Sequence, residues 1–145
     1  MLLRTKKNNI KLSSDGFQKL FNAPADNNFD YFYTPDKPVI FNFHGYPQTL
    51  KQFLFDYQGN VNRFKINGYI ENGSTTTSFD MQIRNKTSRY DLVIQAMELV
   101  SDQVVIPALK QSVISKFKKK LEDHRAFIIK NGIDPEEIEN WVWKA

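Results

Sequence analysis

The sequence predicts an α/β fold, layered α/β/α, with helices on both faces of a small, mainly parallel sheet. The first apolar run, residues 39–43, follows Pro38 and is typical of a strand buried on both faces. A second strand is predicted over residues 63–70, and apolar residues at helical spacing lie between the two runs. The order strand, helix, strand favours a parallel pair with a right-handed crossover.

Composition sets the class of protein. The 145 residues include 12 Phe, 6 Tyr and 2 Trp, which is enough bulky apolar material for one domain with its own core. The chain has no cysteine, which excludes disulfides and thiolate metal sites. No segment has the length and hydropathy of a membrane span, and the apolar run at the N-terminus is too short for a signal peptide. We therefore expect a cytoplasmic protein.

The first 36 residues are predicted to differ from the rest of the chain. We expect residues 1–36 to form a connector, a short helix and an aromatic loop, and residues 37–145 to form the α/β domain. Residues 6–11 are a polar, basic connector, and Ser14 is the expected N-cap of a helix over residues 14–21. The loop that follows is rich in Asn, Asp and Pro. Its aromatic residues are Phe29, Tyr31, Phe32 and Tyr33.

Five helices are predicted after the first strand. The first carries apolar residues at helical spacing and is expected to end at Gly59-Asn60. Thr77 and Asp80 resemble a capping box for a short helix over residues 79–84, and Ser88 is the expected cap of the next helix. The long helix that follows has Pro107 in its first turn and ends at Asn131-Gly132. A last short helix begins at residues 134–137 and leads to the two tryptophans, Trp141 and Trp143.

The edge after the first strand is one candidate ligand site. His44 and Tyr46 flank the turn at Gly45, and ligands of α/β proteins collect beyond the carboxyl ends of parallel strands. We favour the simpler interpretation that His44 is hydrogen-bonded into the following turn. The other histidine, His124, lies near the apolar stripe of the long helix and is expected to be a structural residue bonded to a neighbour. Neither histidine has the sequence context of a metal ligand.

The threonine-rich turn is a second candidate site. Hydroxyls at Thr75, Thr76 and Thr77 precede a helix and suit a phosphate or carboxylate, although capping of the helix explains them with fewer assumptions. We expect Arg84 and Arg89 to pair with nearby acids instead of clamping a ligand. The tryptophans are expected to pack on the domain or on a neighbouring subunit.

Net charge of +4 raises the question of nucleic acid. Most of the basic residues fall in the long helix, off the apolar stripe formed by Leu109, Val113, Phe117, Leu121 and Ile128. A solvated helix face explains this pattern better than a phosphate-tracking surface, because no nucleic-acid-binding module accompanies it. The basic residues are Lys110, Lys116, Lys118, Lys119, Lys120 and Arg125.

Four segments, in order, resemble the end of a known enzyme. They are residues 37–46, residues 67–81 with Asn67-Gly68-Tyr69 and the threonine turn, residues 89–92, and residues 124–143. From about Lys37 onward the chain resembles the C-terminal domain of bacterial xylulose 5-phosphate/fructose 6-phosphate phosphoketolases, which are thiamine diphosphate enzymes related to transketolase. Ser78 stands where the family usually has a proline, which weakens the pre-set first turn of the helix.

The resemblance implies a function for the whole enzyme. Phosphoketolases cleave xylulose 5-phosphate or fructose 6-phosphate with inorganic phosphate to acetyl phosphate and an aldose phosphate, using thiamine diphosphate and Mg²⁺. The family's catalytic and cofactor-binding residues belong to other domains, and none maps onto this sequence. The resemblance therefore implies a structural, subunit-packing domain that is inactive alone. Its partners would be the remaining domains of the enzyme and a second subunit, in a homodimer or higher oligomer.

The related domain has a larger sheet than this sequence provides. In the transketolase C-terminal domain two strands and a helix precede the matching segment, whereas here only residues 1–4 resemble a remnant of a strand. The resemblance thus implies an N-terminally truncated sheet whose bare edges are shielded by the N-terminal segment or by self-association.

Two other functions remain open. One is a stand-alone regulatory domain that binds a sugar phosphate or nucleotide at the edge near His44, and the other is a nucleic-acid-binding domain that uses the basic helix. Both rank below the phosphoketolase interpretation. The candidate ligand or interdomain contacts are His44, Gly45, Tyr46, Thr75, Thr76, Thr77 and Arg89.

Overall fold

The computed structural model describes residues 3–6, 9–12, 36–55, 59–71, 73 and 75–142. The chain divides into two compact units, Met1–Ile70 and Glu71–Ala145. The helix predicted over residues 14–21 and the aromatic residues of the loop after it lie outside the described residues. The α/β class is confirmed, because helices accompany a two-stranded parallel sheet. The division predicted between residues 36 and 37 stays a prediction.

An antiparallel hairpin opens the first unit. Strand β1, Leu3–Lys6, pairs with strand β2, Asn9–Leu12, so that Leu3 faces Leu12 and Lys6 faces Asn9. The connector predicted over residues 6–11 is therefore wrong at Lys6 and at residues 9–11, which belong to the two strands. Four residues are too few to reveal a strand by alternation, and β2 becomes one because β1 supplies its backbone hydrogen-bonding partners.

The parallel pair forms the centre of the first unit. Strand β3, Val39–Asn42, pairs in parallel with strand β4, Phe64–Asn67, which a 3₁₀ turn at Val61–Arg63 precedes. Phe41 on β3 is only 2% exposed, and its ring lies 6.0 Å from the ring of Phe64 on β4. Burial of these side chains is the main stabilising term here. The parallel pairing that the sequence predicts is thus confirmed.

Helix α1, Pro47–Phe53, connects the parallel strands. Pro47 occupies its first turn, and Leu50 and Leu54 are buried. The prediction that this helix continues to Gly59 is wrong, because Leu54 already has non-helical backbone angles of φ −87° and ψ 0°. A Gly-Asn pair can lie in the loop that follows a helix as well as at the helix end. The sequence pattern therefore does not show where α1 ends.

Two capped helices begin the second unit. Helix α2, Ser78–Arg84, has Thr77 as its N-cap, and helix α3, Arg89–Leu99, has Ser88. In both, the cap hydroxyl accepts a hydrogen bond from the backbone N–H three residues later, at Asp80 and at Asp91. Both predicted caps are confirmed, and they satisfy N–H groups that a helix start leaves unpaired.

The long helix dominates the second unit. Helix α4, Pro107–Asn131, packs against α3, where Ile94 and Ile114 are buried. It ends at Gly132 in the left-handed conformation, with φ 71°, and helix α5, Glu136–Glu139, follows. The sequence places Leu109 in the apolar stripe of this helix, but its side chain is 52% exposed. Few of the described residues cover the first turns of α4. No helix in the described ranges is long and apolar enough to cross a membrane.

Candidate functional site

The carboxyl ends of the parallel strands carry an exposed aromatic group. The ring of His44, just after β3, stacks on the ring of Tyr69, just after β4, at 4.6 Å and an interplanar angle of 25°. Tyr46 nearby is also exposed. Among the described residues no hydrogen bond reaches the His44 ring, so the predicted bond into the turn is replaced by stacking on Tyr69. The edge therefore presents an imidazole and two phenols to its surroundings.

Close approach of two backbone segments fixes this edge. The N–H of Tyr69 donates to the carbonyl of Gly45 at 2.8 Å, which ties the end of β4 to the turn after β3. A Cβ at Gly68 would lie 2.4 Å from the Gly45 oxygen and 2.5 Å from Cδ of Pro47. Only glycine fits at position 68, because no larger residue clears both atoms. The turn at Gly45 thus depends on a second glycine, Gly68, which directly follows β4.

The second histidine anchors a buried polar network in the other unit. His124 Nε2 lies 2.8 Å from Oδ1 of Asp134, and the Thr77 hydroxyl donates to the same oxygen at 2.8 Å. His124 is 4% exposed, and its ring lies at 70° to the ring of Phe79 with 5.2 Å between ring centres. The structural role predicted for His124 is confirmed. One carboxylate oxygen joins the start of α2, the middle of α4 and the segment before α5.

The threonine turn holds the carboxylate of Asp80. The Thr76 hydroxyl donates to Asp80 Oδ2 at 2.7 Å, and Arg84 Nε donates to the same oxygen at 2.6 Å. Burial by itself raises the pKa of Asp80, but the hydrogen bonds from Thr76 and Arg84 outweigh it and leave the pKa below its usual value. Thr75 is exposed, while Thr76 and Thr77 are used within the chain. These contacts support capping over anion binding at this turn.

Arg89 lies among aromatic rings. Its guanidinium carbon is 4.7 Å from the ring centre of Phe79, 5.1 Å from that of Tyr90 and 4.6 Å from that of Trp141. These are cation–π contacts. The acid partner predicted for Arg84 is confirmed by its pair with Asp80, whereas Arg89 instead packs on rings. Trp141 packs back on its own unit as predicted, and Trp143 lies outside the described residues.

A charged cluster beside these rings connects three helices. The Tyr90 hydroxyl on α3 and Lys120 Nζ on α4 both donate to Glu137 Oε1 on α5, each at 3.1 Å. The hydrogen bond from Lys120, then that from Tyr90, lowers the pKa of Glu137, and the charge of Arg89 adds to this effect. Glu137 and Asp134 were not predicted as partners, because they lie 10 to 57 positions along the chain from the groups they bind.

The predicted site residues thus fall into two groups. His44, Gly45 and Tyr46 lie together in the first unit, and Thr75 to Thr77 lie in the second unit with Arg89. Tyr69 joins the first group and Asp134 the second, and neither was predicted. Within the described ranges no set of three or more His, Asp or Glu side chains is arranged to hold a metal ion.

Comparison with known proteins gives a consistent result. Residues 2–143 match the family described as XFP C-terminal domain. A probable phosphoketolase 2 of Rhizobium meliloti is 39% identical over 121 residues, covering 83% of this chain and 15% of that protein. A probable phosphoketolase 2 of Lactiplantibacillus plantarum is 37% identical over 139 residues, covering 94% of this chain and 16% of that protein. The chain spans only about a sixth of the length of these curated relatives.

Proposed function

This chain belongs to the XFP C-terminal domain family, the C-terminal domain of phosphoketolases, and from that premise we propose that it is a structural, subunit-packing domain of such an enzyme. Its partners would be the remaining phosphoketolase domains and a second subunit, in a homodimer or larger oligomer in the cytoplasm. The domain alone would have no catalytic activity, because it carries none of the family's catalytic residues.

The complete enzyme would carry out the family's reaction. It would cleave xylulose 5-phosphate or fructose 6-phosphate with inorganic phosphate and release acetyl phosphate and an aldose phosphate. Thiamine diphosphate and Mg²⁺ would be held by the other domains, and the C-terminal domain would contribute through the packing of the assembly. The residues described above would act as scaffold and interdomain contacts.

Exposed apolar side chains carry this proposal. A domain that works alone rarely leaves many large apolar residues uncovered, whereas a domain packed on others must. Several large apolar residues of the second unit are about half exposed or more. They are Val104, Ile106, Leu109, Ile129, Ile133, Trp141 and Val142.

A chimera tests the proposal. The matching C-terminal region of the Lactiplantibacillus plantarum relative would be replaced by this chain, and acetyl phosphate formation from xylulose 5-phosphate and phosphate would be measured. We expect activity in the chimera and none in this chain alone, even with thiamine diphosphate and Mg²⁺ added. A relative lacking the region altogether is the control. A chimera that is soluble and oligomeric but no more active than this control would contradict the proposal.

The exposed edge at His44 supports a second candidate function. Aromatic rings at the carboxyl ends of parallel strands can pack on the planar base of a nucleotide or on the C–H face of a sugar. A stand-alone regulatory domain would therefore bind a nucleotide or a sugar phosphate there. Saturable thermal stabilisation of this chain by such a compound, lost in Tyr69→Ala, would support it. Absence of any shift at millimolar ligand would leave the packing role as the only proposal.

The basic helix gives little support to nucleic-acid binding. Lys110 donates to Val100 O and to Asp102, Lys119 donates to Asp123, and Lys120 donates to Glu137. Three of the six basic residues are therefore engaged within the chain. We therefore propose neither nucleic acid nor membrane as a partner. Binding to DNA or RNA with a steep loss of affinity at higher salt would contradict this.

A further inference from the structure

The guanidinium group of Arg89 is held among aromatic rings and has no hydrogen-bonding partner in the described part of the chain. It lies 4.7 Å from the ring centre of Phe79, 5.1 Å from that of Tyr90 and 4.6 Å from that of Trp141. The Arg89 side chain is partly buried. Across the described ranges no carboxylate, carbonyl or hydroxyl oxygen accepts a hydrogen bond from it. The rings therefore hold the group in place while its N–H donors remain unused.

Three other arginines show what is unusual about Arg89. Arg63 and Arg84 each donate a hydrogen bond to an oxygen of the chain, at 2.9 Å and 2.6 Å. Arg125 has no such partner among the described residues, but it is exposed, so that water satisfies its donors. Of these four arginines, only Arg89 combines partial burial with the lack of an acceptor. An unpaired polar group in such a place is costly, and an acceptor from outside the chain would relieve that cost.

The charges close to Arg89 do not cancel. Lys120 donates to Glu137 at 3.1 Å, and Arg89 interacts with this carboxylate through its charge but donates no hydrogen bond to it. The carboxylate of Asp91, two residues after Arg89, accepts a hydrogen bond from the Ser88 hydroxyl. The cluster of Arg89, Lys120 and Glu137 thus contains two cations and one anion. One positive charge is left without a counter-charge in this cluster.

A single unpaired guanidinium group suits a carboxylate. A carboxylate carries one negative charge, and its two oxygens match two parallel N–H groups of the planar guanidinium. A phosphate group carries more negative charge at neutral pH than one guanidinium can balance. Because the rings already fix the arginine, little side-chain freedom is lost when the carboxylate binds.

From these features we propose that Arg89 binds a carboxylate side chain supplied by the other phosphoketolase domains. Trp141, which contacts Arg89, and Val142 beside it in the sequence are 48% and 71% exposed, so a neighbouring domain can reach this surface. The chain covers only 15% of the Rhizobium meliloti relative, and most of such an enzyme is therefore available to supply the acid. This inference rests on the proposed function and identifies one contact through which the domain packs.

Carbodiimide cross-linking tests the inference, because the reagent couples an amine to a carboxylate that it touches. Arg89→Lys would place an amine at this position in the chimera described above, and peptide mass spectrometry would identify the residue coupled to it. We expect a cross-link from position 89 to an aspartate or glutamate outside this chain. Lys120 and Glu137, whose side chains are 3.1 Å apart, are the internal positive control.

Arg125→Lys is the matched control for the cross-linking. It makes the same exchange at an exposed position that has no ring contact within the described ranges. We expect its coupling to the other domains to be at least about tenfold weaker than that of Arg89→Lys, because a charge-assisted hydrogen bond favours the paired state by about this factor.

Modification by phenylglyoxal, a reagent selective for arginine, checks the contact without a substitution at position 89. Arg89 should react about tenfold more slowly in the chimera than in this chain alone, since a charge-assisted hydrogen bond must break first. Arg125 should react at similar rates in the two proteins. Equal rates for Arg89 in the two proteins would overturn the inference.

The remaining outcomes separate this contact from the proposed function. An active chimera in which Lys120 couples to Glu137 but position 89 couples to nothing overturns the carboxylate contact and leaves the packing role intact. Coupling of position 89 to Glu137 or Asp91 overturns it in favour of an acid of this chain, and coupling that dilution of the isolated chain abolishes points to a second copy instead. An inactive chimera without a cross-link at position 89 overturns the proposed function and this inference with it.

Discussion

The two histidines of the chain lie in opposite environments. His44 is exposed and touches its surroundings through a stacked ring, whereas His124 is buried and bonded to a carboxylate that also binds Thr77. A buried hydrogen-bonded group stabilises the fold because its loss leaves partners unsatisfied, while an exposed ring adds little stability and remains available for contacts. The same residue type therefore has a structural role in one unit and a candidate binding role in the other.

Replacing each histidine by alanine tests this contrast and has the largest expected effect on the free energy of unfolding. We expect His124→Ala to lower the free energy of unfolding by about 3 kcal/mol, because it creates a cavity and strands Asp134. His44→Ala should cost about 0.5 kcal/mol, as is usual for exposed positions. Urea unfolding followed by circular dichroism measures both. Similar losses for the two variants would show that the contrast is wrong.

The close backbone approach at Gly68 gives the second test of the contrast between the two units. Gly68→Ala should destabilise the first unit by about 2.5 kcal/mol, because the added methyl group meets the Gly45 carbonyl and Pro47. Gly73→Ala is the control, with φ +73° and open space around it, and should cost about 1 kcal/mol. Hydrogen exchange of amides in β3 and β4 reports on the first unit alone. Unchanged exchange in Gly68→Ala would mean that the edge is adaptable, unlike the network around His124.

The dependence of stability on pH tests the role of Asp80, whose backbone N–H donates to Thr77 of the buried network. The pKa of Asp80 is lowered in the folded state, so its carboxylate stabilises the fold above the ordinary value of 3.8, and this contribution is lost as the pH falls through the lower folded pKa. Asp80→Asn should therefore cost about 1.5 kcal/mol near neutral pH and progressively less below about pH 4. Urea unfolding of both proteins across this range measures the difference.

Asp91 gives the opposite sign and serves as the control for acid sensitivity. Burial raises the pKa of Asp91 in spite of its hydrogen bond with Ser88. Ionised Asp91 thus disfavours the fold, and protonation relieves this as the pH falls. The destabilisation caused by Asp91→Asn should grow at low pH, not shrink. Parallel pH profiles for the two variants would contradict this account.

The smallest expected effect concerns Arg89. In a Trp143→Phe background, Trp141 is the only tryptophan, and Arg89→Ala should expose it to quenching by acrylamide. We expect a loss of stability of about 1 kcal/mol from the cation–π contacts. Arg125→Ala is the control, because it has no ring contact among the described residues. Equal quenching in the two variants would show that Arg89 does not hold Trp141.

Local signals in the sequence determined much of this protein. Thr77 and Ser88 as caps, Pro107 and Gly132 at the ends of the long helix, and the parallel pairing around one helix are all confirmed by the structure. The caps and helix ends depend on a residue and its neighbours within about one helical turn, and so the sequence shows them directly. The parallel pairing follows from the order strand, helix, strand, which the sequence also shows. The family resemblance was confirmed as well, because it rests on four segments in a fixed order.

Only the tertiary structure decided which distant residues meet. Asp134 lies 57 positions from Thr77 along the chain and binds it, and Glu137 binds Tyr90 from 47 positions away. Tyr69 stacks on His44, and Gly68 lies close to the carbonyl of Gly45, for the same reason. Such contacts depend on how elements pack, and many sequences with the same local pattern would bring other side chains together. The sequence therefore identified which residues carry polar groups, and packing determined which of them are buried, paired or left exposed.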